Sequence, residues 1–220
     1  MTIRTAKRIS YPKRVNPFLV WSRNALLVIG VLALGYSAFV LLDSKLYQAK
    51  QARRFQQQLE SAGPPIASAG GGADLSVAPI PEGALGRIEI PSIGLSAMIM
   101  EGTDGRTLRR AVGHIRGTPL PGQQGNVAIA GHRDTFFRPL RNIQYDDKIT
   151  LTTMNGTYHY LVDSTRVVPP SDIQVLDNSS ETILTLVTCY PFYFVGPSPN
   201  RFIVRAHRIP AVSHTTDGLR

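Results

Sequence analysis

The run Ile183-Leu184-Thr185-Leu186-Val187-Thr188-Cys189, followed at once by Tyr190-Pro191, decides how the rest of this chain is read. Seven residues rich in β-branched and long apolar side chains suit a buried strand, and the proline, which has no N–H for a central ladder, stops it. Alternation puts Ile183, Thr185, Val187 and Cys189 on one face and Leu184, Leu186 and Thr188 on the other. The only cysteine among the 220 residues therefore stands at a strand end, where a side chain can be presented to a cleft. A solitary thiol excludes an intramolecular disulfide framework, a cysteine-rich zinc site and a C-x-x-C redox pair.

Beyond a connection rich in Pro, Phe and Gly, Asn200-Arg201-Phe202-Ile203-Val204-Arg205-Ala206 reads as the next strand. If the two strands pair antiparallel, Arg201 enters beside the point where Cys189 leaves. Arg205 shares that face but lies about 13 Å further along it, so Arg201 is the better cationic partner. Upstream, Val127-Ala128-Ile129-Ala130-Gly131-His132-Arg133-Asp134 is another buried strand, ending in a glycine and then a histidine that can project into the same cleft. Acyl transfer through a thiol needs a thiolate nucleophile, a proton donor for the departing amine and a positive or N–H group for the developing oxyanion. Cys189, His132 and Arg201 supply those types. Each also has a plainer reading, as a small buried hydrophobe, a structural histidine and a solvated arginine. Asp134 is either a turn-forming surface aspartate or the group that orients His132. Thr188, on the opposite face, braces the strand end or meets substrate through its backbone. His114, His159, His207 and His214 have no comparable setting, and no metal-ligand spacing such as H-E-x-x-H is present.

Further out, short runs of Val, Ile, Leu, Thr and Tyr between turn residues predict strands at 86–90, 95–100, 126–130, 148–153, 157–168, 182–189 and 201–207. Met154-Asn155-Gly156 signals a hairpin, and 107–112 and 135–141 are the plausible helical turns. Many short strands with few helices make the 85–210 segment a mostly β domain, a barrel or a sandwich. Before it, residues 43–62 are rich in helix formers and form a polar juxtamembrane helix read as solvated, and 63–84 is a flexible Gly/Pro/Ala linker. Residues 24–42 carry an apolar run from Ala25 to Leu42 without a charge, long enough at about 1.5 Å per residue to cross a bilayer. Trp21 and Tyr47 sit where interfacial aromatics would. The run exceeds the usual length of a cleaved signal peptide's apolar region, and no clean A-x-A site follows, which favours an uncleaved anchor. The net charge of +9 is concentrated ahead of it: Arg4, Lys7, Arg8, Lys13, Arg14 and Arg23 all precede the first acid, Asp43, leaving only +3 beyond. That remainder is too dilute for a phosphate-binding groove, so nucleic acid is not an expected partner. The basic 1–23 segment should stay in the cytoplasm, with everything after residue 43 outside the membrane. Residues 211–220 form a tail.

These residues carry a resemblance. Thr185-Leu186-Val187-Thr188-Cys189 matches the T-L-x-T-C signature of sortases, the bacterial cysteine transpeptidases, and Asn200 to Ala206 resembles the strand bearing their essential arginine. Gly131-His132-Arg133 resembles their histidine segment, and Gly86-Arg87-Ile88-Glu89-Ile90-Pro91-Ser92-Ile93-Gly94-Leu95 their opening strands, so the similarity covers essentially all of 85–210. The order His, Cys, Arg behind one amino-terminal anchor agrees. Cys189-Tyr190-Pro191-Phe192 looks more like the class D group than the pilus polymerases. No carboxy-terminal membrane segment and no lid insertion before the first strand is evident. The resemblance implies a closed eight-stranded barrel with short helices. It also implies a thioacyl transpeptidase cycle without a cofactor, and protein substrates with a carboxy-terminal LPXTG-like sorting signal. The acceptor would be an amine, from a peptidoglycan precursor or another protein, at the bacterial cell membrane. The calcium dependence known within the family does not carry over, because no matching acidic cluster is seen. An anchored cysteine protease using the same Cys-His pair, or a non-catalytic binding module, would be the alternatives.

Overall fold

The computed structural model describes residues 17–62, 83–194 and 196–210. Most of the basic amino-terminal segment, the linker and the carboxy-terminal tail lie outside these described residues. The chain falls into two compact units divided after Leu42. Helix α1, Pro17–Ala62, is the one helix among the described residues long and apolar enough by composition to cross a membrane. Its apolar side chains, Leu26, Leu27, Ile29, Leu32 and Leu34 among them, are exposed.

Eight strands make the second unit: β1 Ala84–Ile90, β2 Leu95–Glu101, β3 Val112–His114, β4 Asn126–Ala130, β5 Lys148–Thr153, β6 Gly156–Val168, β7 Ile183–Tyr190 and β8 Asn200–Ile209. They close into a barrel in the order β1-β2-β3-β4-β7-β8-β6-β5. The β2/β3 and β4/β7 pairs are parallel and the others antiparallel. The closed mostly β barrel with few helices is the expected one. The β5/β6 hairpin turns where expected, with Gly156 at φ 140, a region closed to most side chains. Seven strands are close to their expected places. The eighth, β3, escaped the pattern because three residues are too few to display alternation. The expected helical turn at 107–112 lies earlier, as helix α2 at Gly105–Arg110, because Asp104 caps it by accepting from the N–H groups of Arg106 and Thr107. The other is a 3₁₀ turn at Arg138–Asn142.

Inward-facing Ile88, Ile90, Val127, Ile129, Leu151, Leu184, Leu186 and Val204 fill the barrel. The outward faces of β7 and β8 carry a second, smaller cluster in which Val168, Val175 and Ile203 pack with Leu176 and Val187. Val175 and Leu176 belong to the β6–β7 connection, which thus lies over part of the barrel's outer surface. Buried Asn126 holds it there, donating from Nδ2 to the carbonyls of Val175 and Asp177 (both 3.0 Å) while its Oδ1 accepts from Thr185 Oγ1 at 2.7 Å.

Residues 43–62 are not a solvated stalk. Gln48 Oε1 accepts from the Met98 N–H at 2.8 Å and Gln48 Nε2 donates to the Arg110 carbonyl at 2.6 Å. Asp43 pairs with Arg110 at 2.8 Å, whose guanidinium lies over the Tyr47 ring, and Phe55 is buried. The cause is an incomplete edge. β3 pairs only with Ile99, Met100 and Glu101, leaving the earlier half of β2 without a strand on that side, and the helix covers it, with Gln48 replacing a ladder hydrogen bond.

Candidate active site

The β7/β8 register sets Cys189 directly across from Arg201 and Thr185 across from Arg205, the antiparallel pairing expected from the sequence. The parallel β4/β7 register runs from Asn126 opposite Ile183 to Ala130 opposite Val187, so β4 ends two residues before His132, beside the last residues of β7. Two hydrogen bonds carry the pairing past the end of β4: Gly131 N–H to the Val187 carbonyl at 3.1 Å, and Thr188 Oγ1 to the Gly131 carbonyl at 2.8 Å. Cys189 and Arg201 are thus paired neighbours on strands about 4.8 Å apart, and on the other side of β7 the row continues to the turn after β4 that carries His132. Cys189, a free thiol, and Arg201 are half-buried, and His132 is exposed.

The face on which Cys189 lies is the barrel's outer one, because Leu184 and Leu186 point into the core. Towards the start of the strands this face is covered by the β6–β7 connection, while Ala130, Val187 and Cys189 retain partial exposure. The neighbouring outward positions on β4 are alanines, Ala128 fully buried and Ala130 partly exposed.

The bend after β4 depends on Gly131. A Cβ there would lie 2.8 Å from two ring atoms of Phe137, which is fully buried. Phe137 N–H returns to the His132 carbonyl at 3.1 Å, closing the turn that carries the histidine. At the other end of the row, Tyr190, Phe192 and Phe202 form an aromatic cluster, with Phe192 and Phe202 edge-on at 5.3 Å and both packed against the core. Arg201 Nη1 donates to the carbonyls of Asn200 (3.0 Å) and Ser198 (3.3 Å), which holds the guanidinium at the strand entrance.

The Thr188 side chain is buried and its hydroxyl donates to the Gly131 carbonyl, bracing β7 to β4, which is one of the two readings of this residue. Asp134 does not hydrogen-bond His132; its carboxylate lies 3.4 Å from Arg133 Nε, because the turn directs it back along its own neighbour. Arg133 was not singled out by sequence reasoning, yet it is a buried charge: only 6% of it is exposed. Nothing in the sequence distinguished it from a surface arginine beyond its place next to His132. The other described histidines lie elsewhere. His114 is buried on β3 and bonded to Glu101 and the Pro119 carbonyl, His159 contacts Thr150, and His207 pairs with Asp163 at the far end of β8. Among the described residues no cluster of three His, Cys, Asp or Glu side chains could hold a metal ion.

The family model of the sortase domain matches residues 88–209. Sortase D of Bacillus subtilis is 31% identical over 204 residues, covering 90% of this chain and 99% of that protein. Among solved structures, a Clostridium perfringens sortase D5 transpeptidase superposes with a TM-score of 0.59 at 28% identity, over 74% of this chain and 99% of the other. A sortase C1 from Streptococcus agalactiae superposes with a TM-score of 0.57 at 26% identity, over 77% and 90%.

Proposed function

The chain belongs to the sortase family, as a class D-like sortase transpeptidase, and from that membership we propose that Cys189, His132 and Arg201 carry its acyl transfer on an LPXTG-like sorting signal. The observation that supports this most is the register that pairs the Cys189 thiol with the Arg201 guanidinium across β7 and β8, with His132 in the turn that follows the other neighbouring strand, β4. In this reading the Cys189 thiolate attacks the scissile Thr-Gly carbonyl. His132, as imidazolium, gives its proton to the departing amine, leaving the acyl group on sulfur as a thioester. His132 then takes a proton from an incoming amine, which attacks the thioester and releases the Cys189 thiolate, so the thiolate–imidazolium pair is restored. Arg201 balances the charge that develops on the carbonyl oxygen, and its fixed charge and planar fork suit that better than a lysine would. The acceptor is an amine of the cell envelope, from a peptidoglycan precursor or another protein. Helix α1 anchors the enzyme, with the basic residues before it in the cytoplasm and the barrel outside.

The test uses a sorting-signal peptide with and without a small amine. Mass spectrometry should detect a thioester on Cys189 and, when amine is added, a peptide-amine conjugate, with neither product from Cys189→Ala. Release of the free acid alone, regardless of amine, would make the chain a hydrolase. Orientation is read separately: Ser68→Cys in a Cys189→Ala background should react with an impermeant maleimide on intact cells, and labelling only after lysis would reverse it.

A further inference from the structure

The Arg133 guanidinium is buried, and almost everything it holds belongs to one loop. Nη1 donates to the Pro191 carbonyl (2.8 Å) and to Ser198 Oγ (2.9 Å), and Nη2 donates to the carbonyls of Phe194 (2.6 Å) and Gly196 (3.3 Å). All four acceptors sit on the connection between β7 and β8, which joins Cys189 to Arg201. Among the described residues the one carboxylate paired with Arg133, that of Asp134, is 72% exposed, so the charge is balanced chiefly by carbonyl dipoles. A guanidinium suits this use because its five donors lie in one rigid plane and can satisfy several carbonyls of an irregular segment at once.

The contacts continue to both neighbours in the row. Ser198 Oγ, which accepts from Arg133, donates to the Tyr190 carbonyl, one residue past Cys189. The Ser198 carbonyl accepts from Arg201 Nη1. The loop, which begins two residues after Cys189, also presents two exposed aromatic rings: Phe194, with Arg133 5.9 Å from its centroid, and Tyr193, with Arg141 5.6 Å from its centroid.

We propose that Arg133 is a positioning residue that clamps the β7–β8 loop to the histidine-bearing end of β4, so that the loop stands as a fixed wall for the peptide substrate beside Cys189. The proposal rests on the reading of Cys189 as nucleophile. Arg133 touches neither substrate nor reacting atoms. It acts through the loop, so its loss is felt first in peptide binding and not in the chemistry of the thiol.

The full chain in detergent carries the test. Arg133→Lys keeps a charge but cannot reach four acceptors in one plane. Chymotrypsin should then cut after Tyr193 or Phe194 about tenfold faster than in the wild type, and KM for the sorting-signal peptide should rise about tenfold. kcat should stay within about threefold, and the pH profile of Cys189 alkylation by iodoacetamide should not move. A merely structural arginine would lower Tm, raise cleavage throughout the chain and leave KM unchanged, and that result overturns the proposal. So does a KM unchanged with the loop still protected, or a shifted alkylation profile, which would place Arg133 in the chemistry instead. If Arg133→Lys does not fold, Ser198→Ala decides: a rise of about threefold in both loop cleavage and KM supports the clamp, and no change overturns it. Turnover retained by Cys189→Ala would defeat the functional reading, whereas loop cleavage measured with Arg133→Lys in that same background tests the clamp independently.

Discussion

Replacing Arg201 and Arg205 in turn tests whether the arginine paired across from Cys189, and not the one further along the same strand face, serves the reacting carbonyl. Arg201 is paired across from Cys189, whereas Arg205 is paired across from Thr185, four residues or about 13 Å further along β8. A charge about 5 Å from a developing oxyanion, at an effective dielectric of about 20, is worth roughly 3 kcal/mol. From Arg205 the separation grows to about 14 Å, where the same interaction is roughly 1 kcal/mol before screening. A Debye length of about 8 Å at physiological salt reduces it to a few tenths. At about 1.4 kcal/mol per tenfold, Arg201→Gln should lower kcat/KM about 10²-fold and Arg205→Gln less than about twofold. Arg201→Lys restores charge without the planar fork and should recover no more than about tenfold. The assay is kcat/KM on a fluorogenic sorting-signal peptide with a small amine, with the circular dichroism of each variant checked first. Equal losses at the two arginines would refute the reasoning by showing a general effect on β8, and a larger loss at Arg205 would show that the charge near the carbonyl comes from the wrong residue.

The Tyr160 hydroxyl is buried with no hydrogen-bond partner, and burial pushes its pKa up to about 12 from the ordinary 10.0. Tyr160→Phe should therefore raise stability by about 1 kcal/mol, read as a higher Tm, and a lower Tm would mean that the hydroxyl is satisfied. Because the folded state holds that proton more tightly than the unfolded one, wild-type stability is intact below pH 10. It should fall as pH rises towards 12, by on the order of 2 to 3 kcal/mol more than in Tyr160→Phe; parallel curves would contradict the shift. Gly131→Ala should cost activity well beyond its effect on Tm, since the added Cβ meets the buried Phe137 ring and moves the turn carrying His132; retained kcat/KM would show that the turn tolerates it. Phe55→Ala should destabilise the barrel unit by about 2 to 4 kcal/mol in chemical denaturation, and a fragment starting at residue 84 should be weakened further; no loss in either would mean that the docked helix contributes nothing. Asp134→Asn should change kcat/KM less than about twofold, because its exposed pair with Arg133 is weak and His132 does not depend on it; a loss above tenfold would return it to the orienting role.

The parts legible in the sequence were those whose signal is local. Alternation in 183–189 gave the face of Cys189, the proline after it gave the strand end, and Met154-Asn155-Gly156 marked the hairpin. What stayed hidden depended on pairing between distant segments. Nothing in the β4 sequence says that it runs parallel to β7, yet that pairing is what brings the turn carrying His132 to the end of β7 where Cys189 stands. Val112-Gly113-His114 is too short to announce a strand. Gln48 and Asp43 read as solvent-facing because polar residues usually are, and only the half-open edge of β2 makes a docking helix useful there. Arg133 was missed for the same reason: its partners are backbone carbonyls, and carbonyls leave no trace in sequence.

The arrangement also explains why the row stands at the strand ends and not further down the same face. The outer surface of β4 and β7 is divided in two. One half is sealed by the β6–β7 connection, through Val175 and Leu176 and through the hydrogen bonds of Asn126 to that connection and to Thr185, so the strands beneath are held rigidly. The other half is left open around Ala130 and Cys189, and it is bounded by a loop that Arg133 holds. A thiol at position 187 would be caught in the packed cluster, and one at 191 would leave the ladder altogether. Position 189 is the outward-facing residue that is both still paired in the sheet and clear of the covering segment. A nucleophile there inherits the rigidity of the barrel and keeps access to a peptide, which needs support behind the attacking atom and space in front of it.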